Sequence, residues 1–224
     1  MIPLRDANPS RTVPFVNYTI IGVNVLAFFF ELSQGRRLDN FIFAFGVVPA
    51  RFLYDLNGLD LGLLTFTPFV TSMFFHGGWM HLIGNMLFLH VFGDNVEDRV
   101  GHARYVIFYL LAGFAAALTQ TLINPHSEVP MIGASGAIAG VLGGYVLIFP
   151  KAKVAALVPF FGFLQIVEIQ ALYFLGFWFL MQIFSGLLSL GIAGDAGGIA
   201  WWAHIGGFAA GVVMIPIMKK RSWQ

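Results

Sequence analysis

The sequence contains no cysteine and very few charged residues. Of its 224 residues, 10% are charged and 58% are hydrophobic, whereas about 25% are charged in an ordinary globular protein. The absence of cysteine excludes disulfides, thiolate nucleophiles and cysteine-ligated metal sites. A net charge of +1, with no evident basic face, argues against nucleic acid as a partner. Together with a mean hydropathy of +0.80, this composition indicates a polytopic membrane protein that contacts the lipid bilayer.

Long apolar stretches recur along the chain and predict an all-α fold. Each is close to the ~20 residues that a helix needs to cross a bilayer. The sequence therefore predicts a bundle of six transmembrane helices in one compact domain. The spans are residues 13–32, 79–98, 104–123, 132–149, 167–190 and 200–218.

The basic residues are distributed unequally between the connections of these spans, and this predicts their orientation. Three lie on one side: Arg36, Arg37 and Arg51. Nine lie on the other: Arg5, Arg11, Arg99, Arg104, Lys151, Lys153, Lys219, Lys220 and Arg221. Because cytoplasmic loops are enriched in Lys and Arg, we expect both termini in the cytoplasm of a cell that carries this protein in its plasma or inner membrane.

The segments between the spans give further predictions. Residues 154–190 form one apolar stretch that would be ~55 Å long as a helix, too long for one crossing and short for two plus a turn. We assign residues 154–166 to the inner membrane interface, followed by a single crossing. Residues 49–56 mix aromatic and charged side chains and fit a short interfacial helix. The glycine-rich stretch 191–198 is expected to be a flexible outer lid.

A serine flanked by glycines begins the fourth span. Gly133 and Gly136 leave the backbone around Ser135 bare, and the first turn of a helix has unpaired N–H donors that suit a developing oxyanion. Ser135 is therefore a candidate nucleophile. Glycines at four-residue spacing, such as Gly136 and Gly140, also serve close helix packing in a bilayer. This stretch alone leaves both interpretations open.

Polar residues on three parallel spans favour the chemical interpretation. The second span carries His81 and Asn85 one turn apart, the fourth carries Ser135, and the sixth carries His204. All lie within about two helical turns of the outer end. Because intramembrane polar residues usually face the bundle interior, we expect them to converge as a nucleophile, its base and oxyanion donors.

Three motifs, in this order on alternate spans, resemble those of the rhomboid intramembrane serine proteases. They are His81-x-x-x-Asn85, Gly133-x-Ser135-Gly136 and Ala203-His204-x-x-Gly207. The resemblance covers essentially all of residues 1–224 and implies a single rhomboid-like transmembrane domain.

Within that resemblance, Ser135 is the nucleophile and His204 the general base, while His81, Asn85 and the Ser135 backbone N–H form the oxyanion hole. Gly133, Gly136 and Gly207 support them. The resemblance implies an endopeptidase that uses neither cofactor nor metal. It would cut transmembrane segments of other proteins near the outer face, and these would enter past the fifth span. The oligomeric state stays open.

The chain departs from the family pattern at two places. Thr67-Pro68 stands nine residues before His76, where many members carry Trp-Arg in the first outer loop. Ala139 replaces a tyrosine that packs on the catalytic histidine, so Trp201 or Trp202 is expected to hold the His204 ring. His76 matches a family histidine, and we expect it to form hydrogen bonds or retain water.

Other functions remain as alternatives. A catalytically inactive relative that binds membrane proteins would have the same fold. A haem or transport protein could use His81, His90 and His204 as ligands, although His81 and His90 would lie about 13 Å apart along one helix. A metalloprotease is disfavoured because the sequence has no His-Glu-x-x-His motif.

Overall fold

The computed structural model describes residues 1–59, 62–160, 162–190 and 199–220. These residues form α-helices joined by short connections, together with one small β-sheet. The helices are α1 (Phe15–Ser33), α2 (Leu38–Phe45), α3 (Pro49–Asn57), α4 (Leu63–Thr71), α5 (Trp79–Val100), α6 (His102–Ile123), α7 (Ser135–Ile148), α8 (Ala171–Ser189) and α9 (Trp201–Met218). The predicted lid, residues 191–198, lies outside the described residues.

Each predicted span is a helix in the structure, with ends that agree within four residues. Four of these helices, α1, α6, α8 and α9, are long and apolar enough to cross a membrane. Helix α7 is shorter, at 14 residues, and the 22-residue α5 ends in a charged segment that includes Glu97 and Asp98. The predicted short helix at residues 49–56 is present as α3.

A three-stranded antiparallel sheet shows that the all-α prediction was wrong. Its strands β1 (Ile2–Asp6), β2 (Lys153–Phe160) and β3 (Phe163–Gln170) lie in the order β1–β2–β3. Gly162, with a φ of +85°, lies in the connection between β2 and β3, where glycine is favoured because it has no Cβ. The predicted span 167–190 therefore begins with strand residues, and its helix starts only at Ala171.

Helix α7 occupies the centre of the bundle, with every residue from Gly136 to Tyr145 buried. It packs against α5, α6 and α9. A Cβ atom on Gly207 would overlap the backbone carbonyl of Gly136, and one on Gly211 would overlap that of Gly140. The glycines therefore let the backbones of α7 and α9 touch, as the packing interpretation of this stretch requires.

Hydrogen bonds between distant segments hold the end of the bundle opposite Ser135. The Glu97 carboxylate accepts the backbone N–H groups of Val16 at 3.1 Å and Asn17 at 2.7 Å, which caps the first turn of α1. At the same end, the Lys220 ammonium donates to the carbonyl of Asp98 at 3.1 Å. The N-terminal segment, the turn between α5 and α6 and the end of α9 therefore meet at one end.

Candidate active site

Ser135 is the first residue of α7, and its position depends on the backbone just before it. Gly133 has a φ of +130°, a conformation that side chains with a Cβ rarely adopt, and its N–H donates to the carbonyl of Ser72 at 2.8 Å. The Ser135 side chain lies 2.8 Å from His204, measured from Oγ to Nε2. The structure therefore brings the predicted nucleophile and base within hydrogen-bond distance.

The start of α9 is fixed by a side chain from α6. The Gln120 Oε1 atom accepts the backbone N–H groups of Trp202 at 3.0 Å and Ala203 at 3.2 Å. These donors belong to the first turn of α9, where helices leave N–H groups unpaired; the Ala203 N–H also donates to the carbonyl of Ala200 at 3.1 Å. Gln120 thus caps the helix that carries His204, and sequence reasoning missed it.

A second glutamine contacts the other side of the His204 ring. Gln182 of α8 places its Oε1 atom 2.7 Å from His204 Nδ1. The ring of Trp178 lies 5.9 Å from the His204 ring between centroids, and the ring of Trp201 lies perpendicular to it at 6.3 Å. Trp201, one of the two tryptophans expected to hold the ring, lies near it, and Gln182 and Trp178 are contacts that the sequence did not predict.

His81 and Asn85 of α5 line the same cavity as Ser135. The Gly77 N–H donates to His81 Nδ1 at 3.3 Å, so the proton of the neutral ring lies on Nε2. A Cβ on Gly133 would lie 2.8 Å from that Nε2 atom and 3.6 Å from Ser135 Oγ. His81 Nε2 and Ser135 Oγ therefore both lie next to Gly133, which leaves room for the His81 ring because it has no side chain.

Asn85 contributes a buried donor without a partner. Its side chain is 8% exposed, and its Nδ2 atom has no hydrogen-bond acceptor among the described residues. An unpaired buried donor costs about 1–3 kcal/mol. A group kept in this state next to a cavity is a candidate for binding an acceptor that arrives with a ligand.

His76 lies behind His81, in the segment before α5. The two rings are 5.1 Å apart in an edge-to-face arrangement, and the His76 ring is buried near the Phe74 backbone. Burial, with a smaller contribution from His81, lowers the pKa of His76 to about 4, so the ring is neutral at pH 7. Its backbone N–H donates to both carboxylate oxygens of the buried Glu31 at 3.1 Å.

These groups surround one cavity of about 680 Å³, which is lined by Ser135, His204, His81, Asn85, Gln182 and Gln120 among others. The two glutamines could have been found from the sequence. Both lie within predicted spans, and an intramembrane polar residue is a candidate functional residue by default. Gln120 and Gln182 meet that criterion as well as the histidines do.

The haem alternative fits this geometry poorly. Both ring nitrogens of His204 are within hydrogen-bond distance of protein atoms, Ser135 on one side and Gln182 on the other. The His90 ring lies against Tyr18, with 6.3 Å between centroids.

The fold and the side chains define a helical membrane protein with a serine–histidine pair in an internal cavity. The chain belongs to the rhomboid family: a family model described as the Rhomboid domain matches residues 64–221.

Relatives in this family include proteases and a protein named as inactive. The chain is 29% identical over 136 residues to Rhomboid protease GluP of Bacillus subtilis (strain 168), covering 60% of this chain and 25% of that protein. It is 28% identical over 151 residues to Rhomboid-like protease 3 of Toxoplasma gondii, covering 67% and 51%. It is also 34% identical over 77 residues to Inactive rhomboid protein 1 of Drosophila melanogaster, covering 34% and 5%. The chain thus matches about half or less of the length of these relatives.

Proposed function

We propose that this chain is an intramembrane serine endopeptidase with Ser135 as nucleophile and His204 as general base. The observation that carries the proposal is the 2.8 Å contact between Ser135 Oγ and His204 Nε2, inside a cavity that also presents the unpaired donor of Asn85. A nucleophile within hydrogen-bond reach of a base, which is itself held by a third group, is the usual arrangement for covalent catalysis.

The reaction follows from the proton positions. The Ser135 hydroxyl gives its proton to His204 Nε2 as Oγ attacks the carbonyl carbon of the scissile peptide. The tetrahedral intermediate collapses when His204 returns that proton to the leaving amine, which leaves an ester on Ser135. A water molecule then attacks the ester while His204 takes its proton; His204 passes this proton to Ser135 Oγ as the C–O bond breaks, which releases the acid product and restores the serine.

The oxyanion of the intermediate would be stabilised from α5 and from the start of α7. His81 offers its Nε2–H, Asn85 its side-chain amide, and Ser135 its backbone N–H. Donors of this kind act chiefly in the transition state, because the carbonyl oxygen gains charge only as the attack proceeds. The buried polar ring of His76, in contact with His81, suits the predicted role in holding water near this site.

The substrate class and topology complete the proposal. Helices α1 and α5–α9 would span the membrane, with both termini in the cytoplasm and the cavity toward the extracytoplasmic side. Substrates would be transmembrane segments of other proteins, which enter past α8 and are cut near the outer face. Support comes from the apolar helices, from the family and from the two relatives named as proteases.

Fluorophosphonate labelling of the detergent-purified protein tests the chemistry directly. We expect the adduct on Ser135, and we expect Ser135→Ala and His204→Ala each to abolish labelling and cleavage of a model transmembrane substrate. The matched control is Ser33→Ala, which changes an exposed serine at the end of α1. Equal labelling of the wild type and the Ser135→Ala variant would reject the nucleophile. Binding of membrane proteins without any labelling would favour an inactive relative.

A further inference from the structure

Gln182 stands out among the residues of α8 because it is a polar side chain on a largely apolar helix. It is 7% exposed, and both polar atoms of its amide are used. The Oε1 atom lies 2.7 Å from His204 Nδ1, and the Nε2 atom donates to the carbonyl of Trp178 at 3.3 Å. The bond to Trp178 settles the direction of the amide, because only a nitrogen can donate to a carbonyl.

The direction of the amide also determines the proton position on His204. An amide oxygen only accepts, so His204 Nδ1 must carry the proton that lies between the two atoms. In the neutral ring, Nε2 is then unprotonated and can take the proton of Ser135. The opposite tautomer would place a proton on Nε2, facing Ser135 Oγ, and could not act as a base toward it.

We propose that Gln182 is the positioning residue of the catalytic base, in the place that a carboxylate occupies in a serine–histidine–aspartate triad; this inference rests on the proposed function. A carboxylate inside the bilayer would have to be desolvated, at a cost of several kcal/mol in real proteins. A neutral amide fixes the same tautomer and ring orientation without that cost. It stabilises the imidazolium less than a carboxylate would, so its contribution is mainly geometric.

Through Gln182, the orientation of His204 depends on α8, a helix that carries neither member of the catalytic pair. Ser135 belongs to α7 and His204 to α9. The rings of Phe179 on α8 and Phe208 on α9 are stacked with centroids 4.2 Å apart, which holds the two helices together near the site. Correct orientation of His204 therefore depends on α8 being packed against α9.

The test compares Gln182→Leu, which removes the acceptor at similar size, with Gln182→Glu, which keeps an acceptor oxygen. The control is Met181→Leu, which changes the adjacent, exposed residue of the same helix. We expect Gln182→Leu to lower kcat and the rate of fluorophosphonate labelling together by about 10- to 10²-fold, part of what a general base contributes, with little change in KM. We expect Gln182→Glu to recover most of the loss and Met181→Leu to change neither rate.

A second measurement reads the tautomer without activity. In ¹⁵N-histidine-labelled protein, with His204 assigned from its loss in His204→Ala, we expect the proton on Nδ1 in the wild type and a mixture of tautomers in Gln182→Leu. Labelling of a folded Gln182→Leu variant at the wild-type rate would overturn the positioning role and leave the proposed protease intact. If the wild type itself is not labelled, the proposed function fails. The tautomer can be read even in that case. If His204 keeps its proton on Nδ1 in Gln182→Leu as it does in the wild type, Gln182 does not fix the tautomer and its positioning role is rejected.

Discussion

Two histidines of the site hold their protons on opposite ring nitrogens, and in each case the deciding neighbour is a fixed protein group. The Gly77 N–H donates to His81 Nδ1, which puts the His81 proton on Nε2 in the cavity that Ser135 also lines. Gln182 Oε1 accepts from His204 Nδ1, which leaves Nε2 unprotonated toward the same serine. One ring can therefore donate to an oxyanion while the other accepts the proton of the nucleophile, although the two side chains are chemically identical.

The unpaired Asn85 donor gives a prediction at the scale of one residue. Replacing Asn85 with alanine should lower kcat by about 10²- to 10³-fold, or ~3–4 kcal/mol, because one oxyanion donor is lost. KM should change little, since this donor acts mainly in the transition state. The Ser135 N–H and His81 would remain, so slow turnover should still be measurable.

A matched variant separates this role from a structural one. Asn24 is fully buried in α1 and donates to the carbonyl of Ile20 at 2.7 Å. Asn24→Ala should lower Tm and leave kcat of the folded enzyme nearly unchanged. Asn85→Ala should show the opposite pattern, because its donor has no protein acceptor to lose. Normal kcat with a lowered Tm for Asn85→Ala would remove this residue from the active site.

The sequence predicted those site residues that belong to motifs with a recognisable spacing. The three motifs led to Ser135, His204, His81 and Asn85, and the structure places all of them around one cavity. Gln182 has no such spacing, because it meets His204 only through the packing of α8 against α9. A contact between helices that depends on side-chain directions cannot be read from periodicity alone.

At the scale of elements, the approach of α7 to α9 determines the distance between nucleophile and base. Ser135 and His204 lie at the starts of these helices, and Gly136 and Gly207 form the first close backbone contact behind them. The next turn repeats the arrangement with Gly140 facing Gly211, and Gly143 lies against the backbone carbonyl of Phe208. The Ser135–His204 distance therefore depends on glycines that take no part in the chemistry.

A pair of glycine-to-alanine changes tests this packing. A Cβ on Gly211 would overlap the carbonyl of Gly140, which is backbone and cannot turn away, whereas a Cβ on Gly176 of α8 meets nothing within 4 Å. Gly211→Ala should lower stability by about 1–3 kcal/mol or more and reduce kcat by separating α7 from α9. Gly176→Ala should be neutral or stabilising by up to ~1 kcal/mol, because alanine favours a helix.

The measurements for this pair are Tm and kcat on the same detergent-purified samples. Both variants replace a helical glycine with alanine, so the gain in helix propensity is the same in each and the difference in Tm reports the packing. Equal Tm values for the two variants would show that the contact between α7 and α9 tolerates a side chain. The short Ser135–His204 distance would then need another cause.

The sequence analysis failed to predict the small sheet and the two short helices α2 and α4. The run from Val154 to Val167 has no charge, and a short apolar run fits a buried helix and a strand equally well. The transmembrane helices were predictable because each apolar span has many more residues than an ordinary strand. The pairing of β2 with β1 joins residues about 150 positions apart, such as Ile2 and Leu157, and no local pattern signals such a contact. The β-branched residues of β3 and the turn at Gly162 were the available signals.

At the scale of the whole molecule, the two ends of the bundle differ in chemistry. One end holds Ser135 and His204, and the other holds the sheet, the Glu97 cap and the contact between Lys220 and Asp98. The segments that carry most of the basic residues meet at this second end: the backbone N–H of Arg11 donates to the Asp98 carboxylate at 3.0 Å, and the Lys153 ammonium pairs with the Glu168 carboxylate at 3.0 Å. A basic end of this kind is expected on the cytoplasmic side.

The absence of cysteine makes this orientation directly testable. Single cysteines can be introduced by Asn57→Cys and His126→Cys at exposed positions near the site end, and by Lys151→Cys before β2. In intact cells, an impermeant thiol reagent should label the first two variants at once and the Lys151→Cys variant only after permeabilisation. The cysteine-free wild type controls for background labelling. Ser33→Cys, at the end of α1, adds a further position that should be labelled in intact cells. If Lys151→Cys and His126→Cys were labelled from the same side, α7 would not cross the membrane between them. The proposed cavity would then lose its extracytoplasmic position, and the proposal that this chain cleaves transmembrane segments near the outer face would have to be abandoned.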